Sequence, residues 1–192
     1  MSALDDAPHI QADDRDTWRA WLEANHAASR GVWLVIWRSR SGRAGLDYEA
    51  AVGEALCYGW VDSTAGRVDE DRGKLYFARR KPHSIWAATN KARVERLIAQ
   101  GRMAPAGLAA IERAKGNGSW ESLDSVDRLE VPDDLAAALT AHPPADANFA
   151  AFPPSTRKQM LWWVVSARRP ETRATRIQHV ADAAARNERA RG

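Results

Sequence analysis

The apolar positions of the chain change period several times, and each change predicts an element. Trp18, Trp21 and Leu22 follow the polar run ending in Asp16-Thr17 at i, i+3, i+4 spacing, which predicts a short amphipathic helix capped by Asp16 or Thr17. After Gly31, the run Val32 to Trp37 is apolar on both faces and rich in β-branched and aromatic residues, as a central strand requires. Gly42 and Gly45 mark a turn. Asp47 then caps a helix through Tyr58, with Val52, Ala55 and Leu56 facing inward and Gly59 as its stop. Trp60 to Arg67 and Lys74 to Arg80 read as two strands joined by the polar loop 68–73, a hairpin that completes an antiparallel sheet of about three strands. Beyond Pro82, Ser84 caps a helix running to Gln100, and Pro105 starts another that ends near Lys115.

Residues 116–132 are polar and irregular, and the pattern after them is helical. Leu135, Ala138 and Leu139 form one short stripe, Pro143-Pro144 and Pro153-Pro154 bracket Phe149 and Phe152, and Ser155 leads into Met160 to Val165. Pro170 sits in the first turn of a last helix whose Ile177, Val180, Ala181 and Ala184 make a narrow stripe, and exposed apolar residues on this helix would support a homodimer. The expected fold is α+β: a small antiparallel sheet packed with helices over residues 1–120, and a helical part over residues 121–192 packed on it as one compact domain.

Composition narrows the class of protein. With 45% hydrophobic residues and nine Trp in 192 residues, the chain can bury a core without a staple. The single cysteine, Cys57, excludes an intramolecular disulfide and a multi-cysteine zinc site. No run approaches the length that spans a bilayer and the N-terminus lacks a basic start before an apolar run, so a soluble, cytoplasmic protein without membrane insertion is expected. The five histidines show no metal-ligand spacing, and neither metal nor cofactor is implied. Net charge is only +3, yet residues 67–102 hold ten Lys/Arg against four acids, so the middle of the chain is where an anion would be attracted. Basic and aromatic residues are not interleaved as single-strand stacking would want, which argues against nucleic acid.

Candidate chemistry concentrates between residues 57 and 90. Cys57 stands in the last turn of its helix one turn after Glu54, and both neighbours disfavour a thiolate, so it reads as a buried thiol and not a nucleophile. Gly66 and Gly73-Lys74 have the wrong spacing for a phosphate loop. What remains is an aromatic and charged group: Tyr58, Trp60, Asp62, Tyr76, Arg79, Arg80, His83, Trp86 and Asn90. Alternation puts Trp60, Asp62 and Thr64 on one face of the hairpin and Arg79 and Arg80 on opposite faces, so that one arginine, register deciding which, can reach Asp62.

The segments Glu54-Ala55-Leu56-Cys57-Tyr58-Gly59-Trp60-Val61-Asp62-Ser63, Phe77 to Trp86 followed by Asn90, Gly101 to Gly107, and Trp162-Trp163-Val164-Val165-Ser166-Ala167-Arg168 before Glu171-Thr172-Arg173 resemble the bacterial YdeI/OmpD-associated, or bacteriocin-protection, family across roughly residues 15–185. The departures are Ala104, where a capping Thr or Ser is expected before Pro105, and the acidic loop Asp69-Glu70-Asp71. The resemblance implies a part in bacteriocin or antibiotic tolerance. Joined to the residues, it gives the expectation of a protective protein that binds a small aromatic, amphipathic or anionic molecule. Trp60, Trp86 and Trp163 would form walls, Asp62 with Arg79 or Arg80 would fix polarity, and Asn90 would supply amide hydrogen bonds. The alternative is a small-molecule-modifying enzyme with Asp62 as general base and Arg79 or Arg80 as anion stabiliser. A weaker alternative is protein or nucleic-acid contact through residues 67–102.

Overall fold

The computed structural model describes residues 6–190, and the chain divides into two compact units, Met1–Glu121 and Ser122–Gly192. The first unit is built from β1 (His9–Gln11), α1 (Arg15–Asn25), β2 (Gly31–Trp37), α2 (Tyr48–Cys57), β3 (Trp60–Arg67), β4 (Arg72–Arg79), α3 (Ala88–Ala99) and α4 (Pro105–Gly116). Its sheet has the order β1-β2-β4-β3, with β1 parallel to β2 and the other pairs antiparallel. The fold is α+β as expected, but the sheet is mixed and has four strands. The added strand is three residues long, too short for alternation to register in the sequence.

β2 is interior to the sheet because both of its faces are apolar. Val32 and Leu34 oppose Phe77 and Leu75 on the helix-covered face, while Trp33 and Val35 oppose Tyr76 and Lys74 on the other. The face toward the helices carries the core, in which Trp18, Leu22, Leu56, Trp60, Phe77, Trp86 and Val94 are buried together. A buried indole needs a partner for its N–H, and Trp18 donates to the Ala51 carbonyl at 3.0 Å. Opposite β4, the register of β3 slips between Asp62 and Thr64. This bulge at Ser63 turns Thr64 to the face opposite Trp60 and Asp62, contrary to simple alternation.

Two helix starts differ from expectation. α1 is capped by Asp14, whose Oδ1 accepts from the Thr17 amide at 2.7 Å, so Asp16 lies inside the first turn. α3 begins at Ala88, not after Ser84, because Ser84 Oγ accepts from the Lys81 amide in a local turn and the chain from 80 to 87 packs irregularly. α4 starts on Pro105 with no side-chain cap, as the alanine at 104 implies.

The second unit contains α5 (Asp124–Asp127), α6 (Asp133–Thr140), α7 (Ala145–Ala151), α8 (Pro154–Val165) and α9 (Pro170–Ala185). Its core joins Leu135, Leu139, Phe149, Met160, Leu161, Val164, Ile177 and Val180 with the alanines of α9. The proline-bracketed segment is itself helical. It buries Phe149, and Asn148 Nδ2 donates to the Ala184 carbonyl at 2.8 Å. Among the described residues no helix is long and apolar enough to cross a membrane.

Candidate functional site

The end of α2 and the end of β4 meet because Gly59 takes a left-handed conformation (φ +73°) and its carbonyl accepts the Arg80 amide at 3.0 Å. An added Cβ at Gly59 would stand 3.0 Å from Ala110 Cβ and 3.1 Å from the Ala106 carbonyl oxygen, so glycine also sets how closely α4 lies. These elements enclose a cleft of about 390 Å³ whose lining includes His26, Tyr58, Arg79, Arg80, Arg113 and the alanines of α4. The lining holds three arginines, one histidine and no carboxylate.

Arg80 is the unusual member, only 7% exposed. It donates from Nη1 to the Ile85 carbonyl at 3.0 Å, and its guanidinium carbon lies 3.8 Å from the centre of the Trp86 ring. Its Nε is buried without a partner, and among the described residues no carboxylate lies within ion-pair distance. Burial lowers its pKa to about 10, opposed by the negative charge of Asp62, so it stays cationic at neutral pH. Arg79 donates to the Ala27 carbonyl at 3.2 Å, and the exposed Arg113 has no side-chain partner among the described residues. His26 Nδ1 lies 2.9 Å from the Leu22 carbonyl, an arrangement in which Nδ1 carries the proton and Nε2 faces elsewhere. The Tyr58 ring packs against His26 with centroids 5.1 Å apart, and burial pushes its phenol up, which keeps the hydroxyl a hydrogen-bond donor.

The structure brings together Tyr58, Arg79 and Arg80 from the residues singled out in the sequence. Trp60 and Trp86 are 0% and 1% exposed and belong to the core instead of forming walls. Trp60 donates to the His26 carbonyl at 3.3 Å and meets Trp21 edge-on, while Trp86 packs on Trp120 with centroids 4.9 Å apart. Asp62 is not hydrogen-bonded to either arginine: its Oδ2 accepts from the Tyr48 hydroxyl at 2.9 Å. Tyr76 lies on the opposite face of the sheet, edge-on to Trp33. His83 is exposed in the loop before α3, Asn90 accepts from Arg93 at 2.7 Å, and Trp163 belongs to the second unit.

His26 and Arg113 escaped the sequence reading. The only signal was the spacing Ala106, Ala109, Ala110, Arg113, one small-residue face of α4 ending in a cation. Glu54 was also underrated. It is 1% exposed and bound by Arg19 at 2.7 Å and Arg102 at 2.5 Å, with Arg15 at 3.6 Å, so it ties α1 and the segment after α3 to α2. The Cys57 thiol is pushed up first by burial and then by Glu54, in the expected direction. A larger cleft, about 530 Å³, lies between residues 36–48 and the hairpin, but several of its cations are already engaged. Arg40 is on the Glu70 carbonyl, Arg43 is stacked on Trp37, and Lys74 is at His9 Nε2.

An α+β unit with an arginine-lined cleft and a helical unit thus make up the molecule, and comparison with known families divides the chain in a similar way. A family model described as a domain of unknown function (DUF8412) matches residues 10–110, just over half of the chain, and the chain belongs to that family. A second model, described as Bacteriocin-protection, YdeI or OmpD-Associated, matches residues 128–187 and supports the resemblance seen in the sequence. Of the segments quoted for that resemblance, those between 54 and 107 fall under the first model and those around Trp162 under the second. No curated protein and no solved structure matches the chain.

Proposed function

We propose that the protein binds a small amphipathic anion in the cleft between the ends of α2 and β4, α4 and the residues just after α1, and that a protective role of the kind named in the second family description rests on holding that molecule. The observation that carries this reading is Arg80: a buried, charged guanidinium at a cleft lined by two further arginines and no acid. Buried charges are ordinarily paired, and an anion seated here would supply the missing partner through charge-assisted hydrogen bonds. The alanines of α4 and the Tyr58 ring offer an apolar wall for the remainder of the ligand. A volume of about 390 Å³ lies within the range of small-molecule sites.

Isothermal titration with alkyl sulfates of two to eight carbons, and with the matching alcohols, tests this. The sulfates should bind more tightly as the chain lengthens and the alcohols should not bind. Arg80→Gln and Arg113→Gln should each weaken sulfate binding by about tenfold, the equivalent of one charged hydrogen bond. Sulfates that bind both variants as well as the parent protein would refute the assignment.

A further inference from the structure

The second unit carries a cleft of its own, about 490 Å³, formed where the end of α8 faces α9 and the residues after it. Its lining is Gln159, Trp162, Trp163, Ser166, Arg176, Arg189 and Ala190. Both indoles are half-buried, so each shows part of its ring at the cleft, unlike the fully buried Trp60 and Trp86. Arg176 is held in place: Nη1 donates to the Trp163 carbonyl at 2.6 Å and to Ser166 Oγ at 3.1 Å, and the guanidinium carbon is 5.3 Å from the centre of the Trp163 ring. Trp163 is fixed in turn by an edge-on contact with His179 at 5.4 Å.

The inventory of hydrogen-bonding groups is one-sided. Among the described residues, neither indole N–H, nor the remaining guanidinium nitrogens of Arg176, nor any of those of Arg189 has an acceptor, and no carboxylate lines the cleft. Indole offers a donor only, and guanidinium offers donors only. Two flat π-faces beside two cations and unanswered donors are complementary to a flat apolar body bearing a negative group.

We infer that this cleft is a second binding site, independent of the one proposed above, for a small aromatic carboxylate. The carboxylate sits between Arg176 and Arg189 and accepts from their free nitrogens and from an indole N–H, while the ring lies against Trp162 and Trp163. The site uses only residues of α8, α9 and the chain just beyond them, so it stands even where the cleft of the first unit proves empty.

The test is a ¹H–¹⁵N correlation spectrum of the full chain during titration with 1-naphthoate. The indole N–H signals of Trp162 and Trp163 are assigned from Trp162→Phe and Trp163→Phe. Those two signals should shift on adding naphthoate, and 1-naphthalenemethanol, which has the same rings without the charge, should leave them in place. Arg189→Gln, a change at an exposed side chain, should weaken the naphthoate response by about tenfold, whereas Arg113→Gln should leave it unchanged. Stationary Trp162 and Trp163 signals, an equal response to the alcohol, or full affinity in Arg189→Gln would each overturn the inference. Failure of the alkyl sulfate titration would leave these signals untouched, so the two proposals fail separately.

Discussion

Gly107→Ala sets helix propensity against packing, and the two predict opposite signs. Gly107 lies in α4 and faces the end of α2. A Cβ built there would stand 2.2 Å from the Cys57 carbonyl oxygen, 2.7 Å from its carbon and 2.8 Å from the Leu56 carbonyl oxygen. Ordinary contact begins at 3.4 Å, so one helix has to withdraw from the other by roughly 1 Å, and every atom met is backbone that cannot turn aside. The same Cys57 carbonyl accepts the Ala104 amide at 3.1 Å, a bond that the withdrawal breaks. Overpacking costs about 1–3 kcal/mol and the lost backbone hydrogen bond about 1 kcal/mol, while replacing glycine by alanine in a helix contributes about 1 kcal/mol in the other direction. The net expectation is destabilisation by about 1–3 kcal/mol.

Gly53→Ala is the matched control. Gly53 is also helical, in α2, but no atom lies within 4 Å of its added Cβ, so propensity alone applies and the change should stabilise by up to about 1 kcal/mol. Urea unfolding followed by tryptophan fluorescence measures both, since seven of the nine tryptophans fall in the first unit. Because α4 also forms the alanine wall of the cleft, Gly107→Ala should weaken alkyl sulfate binding as well. If Gly107→Ala proves as stable as the parent protein or more so, the close α2–α4 contact described above is wrong, and the cleft that depends on it goes with it.

Three further outcomes follow from the buried charges and the thiol. Glu54→Gln leaves Arg19 and Arg102 without their counter-ion and should destabilise by about 3 kcal/mol in urea, the low end for a broken buried pair because both guanidiniums are 30% exposed. A cost below about 0.5 kcal/mol would place Glu54 among ordinary surface pairs. Cys57, pushed up by burial, should react with an aromatic disulfide at pH 8 only upon unfolding, and rapid labelling of the folded protein would contradict its burial. Burial lowers Arg80 to about 10 in the folded protein, below its value in the unfolded chain, so the unfolded chain holds its proton more tightly; the penalty is full below pH 10 and fades as pH rises above it. The stability of the parent protein should therefore rise relative to Arg80→Met between pH 9 and pH 11, and a constant difference over that range would refute the assigned burial of charge.

Local periodicity made most of the elements legible. The Trp18, Trp21, Leu22 stripe, the two-faced run of β2, the Asp47 cap and the arginine-flanked stripe of α9 each need only neighbouring residues to be read. The departures came from contacts made at a distance. β1 exists because three residues pair with β2, and the bulge at Ser63 reverses the facing of Thr64 with nothing in composition to announce it. The segment 80–87 carries a plausible cap in Ser84 yet stays irregular, with Arg80 bound to the Ile85 carbonyl and Trp86 sunk into the core. Half of the cleft was readable in Tyr58, Arg79 and Arg80. The other half, His26 and Arg113, arrives from positions far apart in the chain that only Gly59 and Gly107 allow to approach.

The burial of Trp60 and Trp86 changes what the tryptophans are for and sharpens what the arginines do. Burial holds the Arg80 guanidinium at about 10, below its ordinary value, so the charged form is less favourable here than in water. The Trp86 face at 3.8 Å and the bond to the Ile85 carbonyl are its direct favourable contacts. The groups in direct contact with the cation are thus a carbonyl dipole and a ring quadrupole, neither of which carries net charge, while Asp62 acts on it only from beyond ion-pair distance. No carboxylate lines the cleft to pair with it, and Arg79 and Arg113 add to the positive potential there. A core indole that supports a buried arginine leaves the arginine free to attract an anion, which a carboxylate in the same place would have prevented.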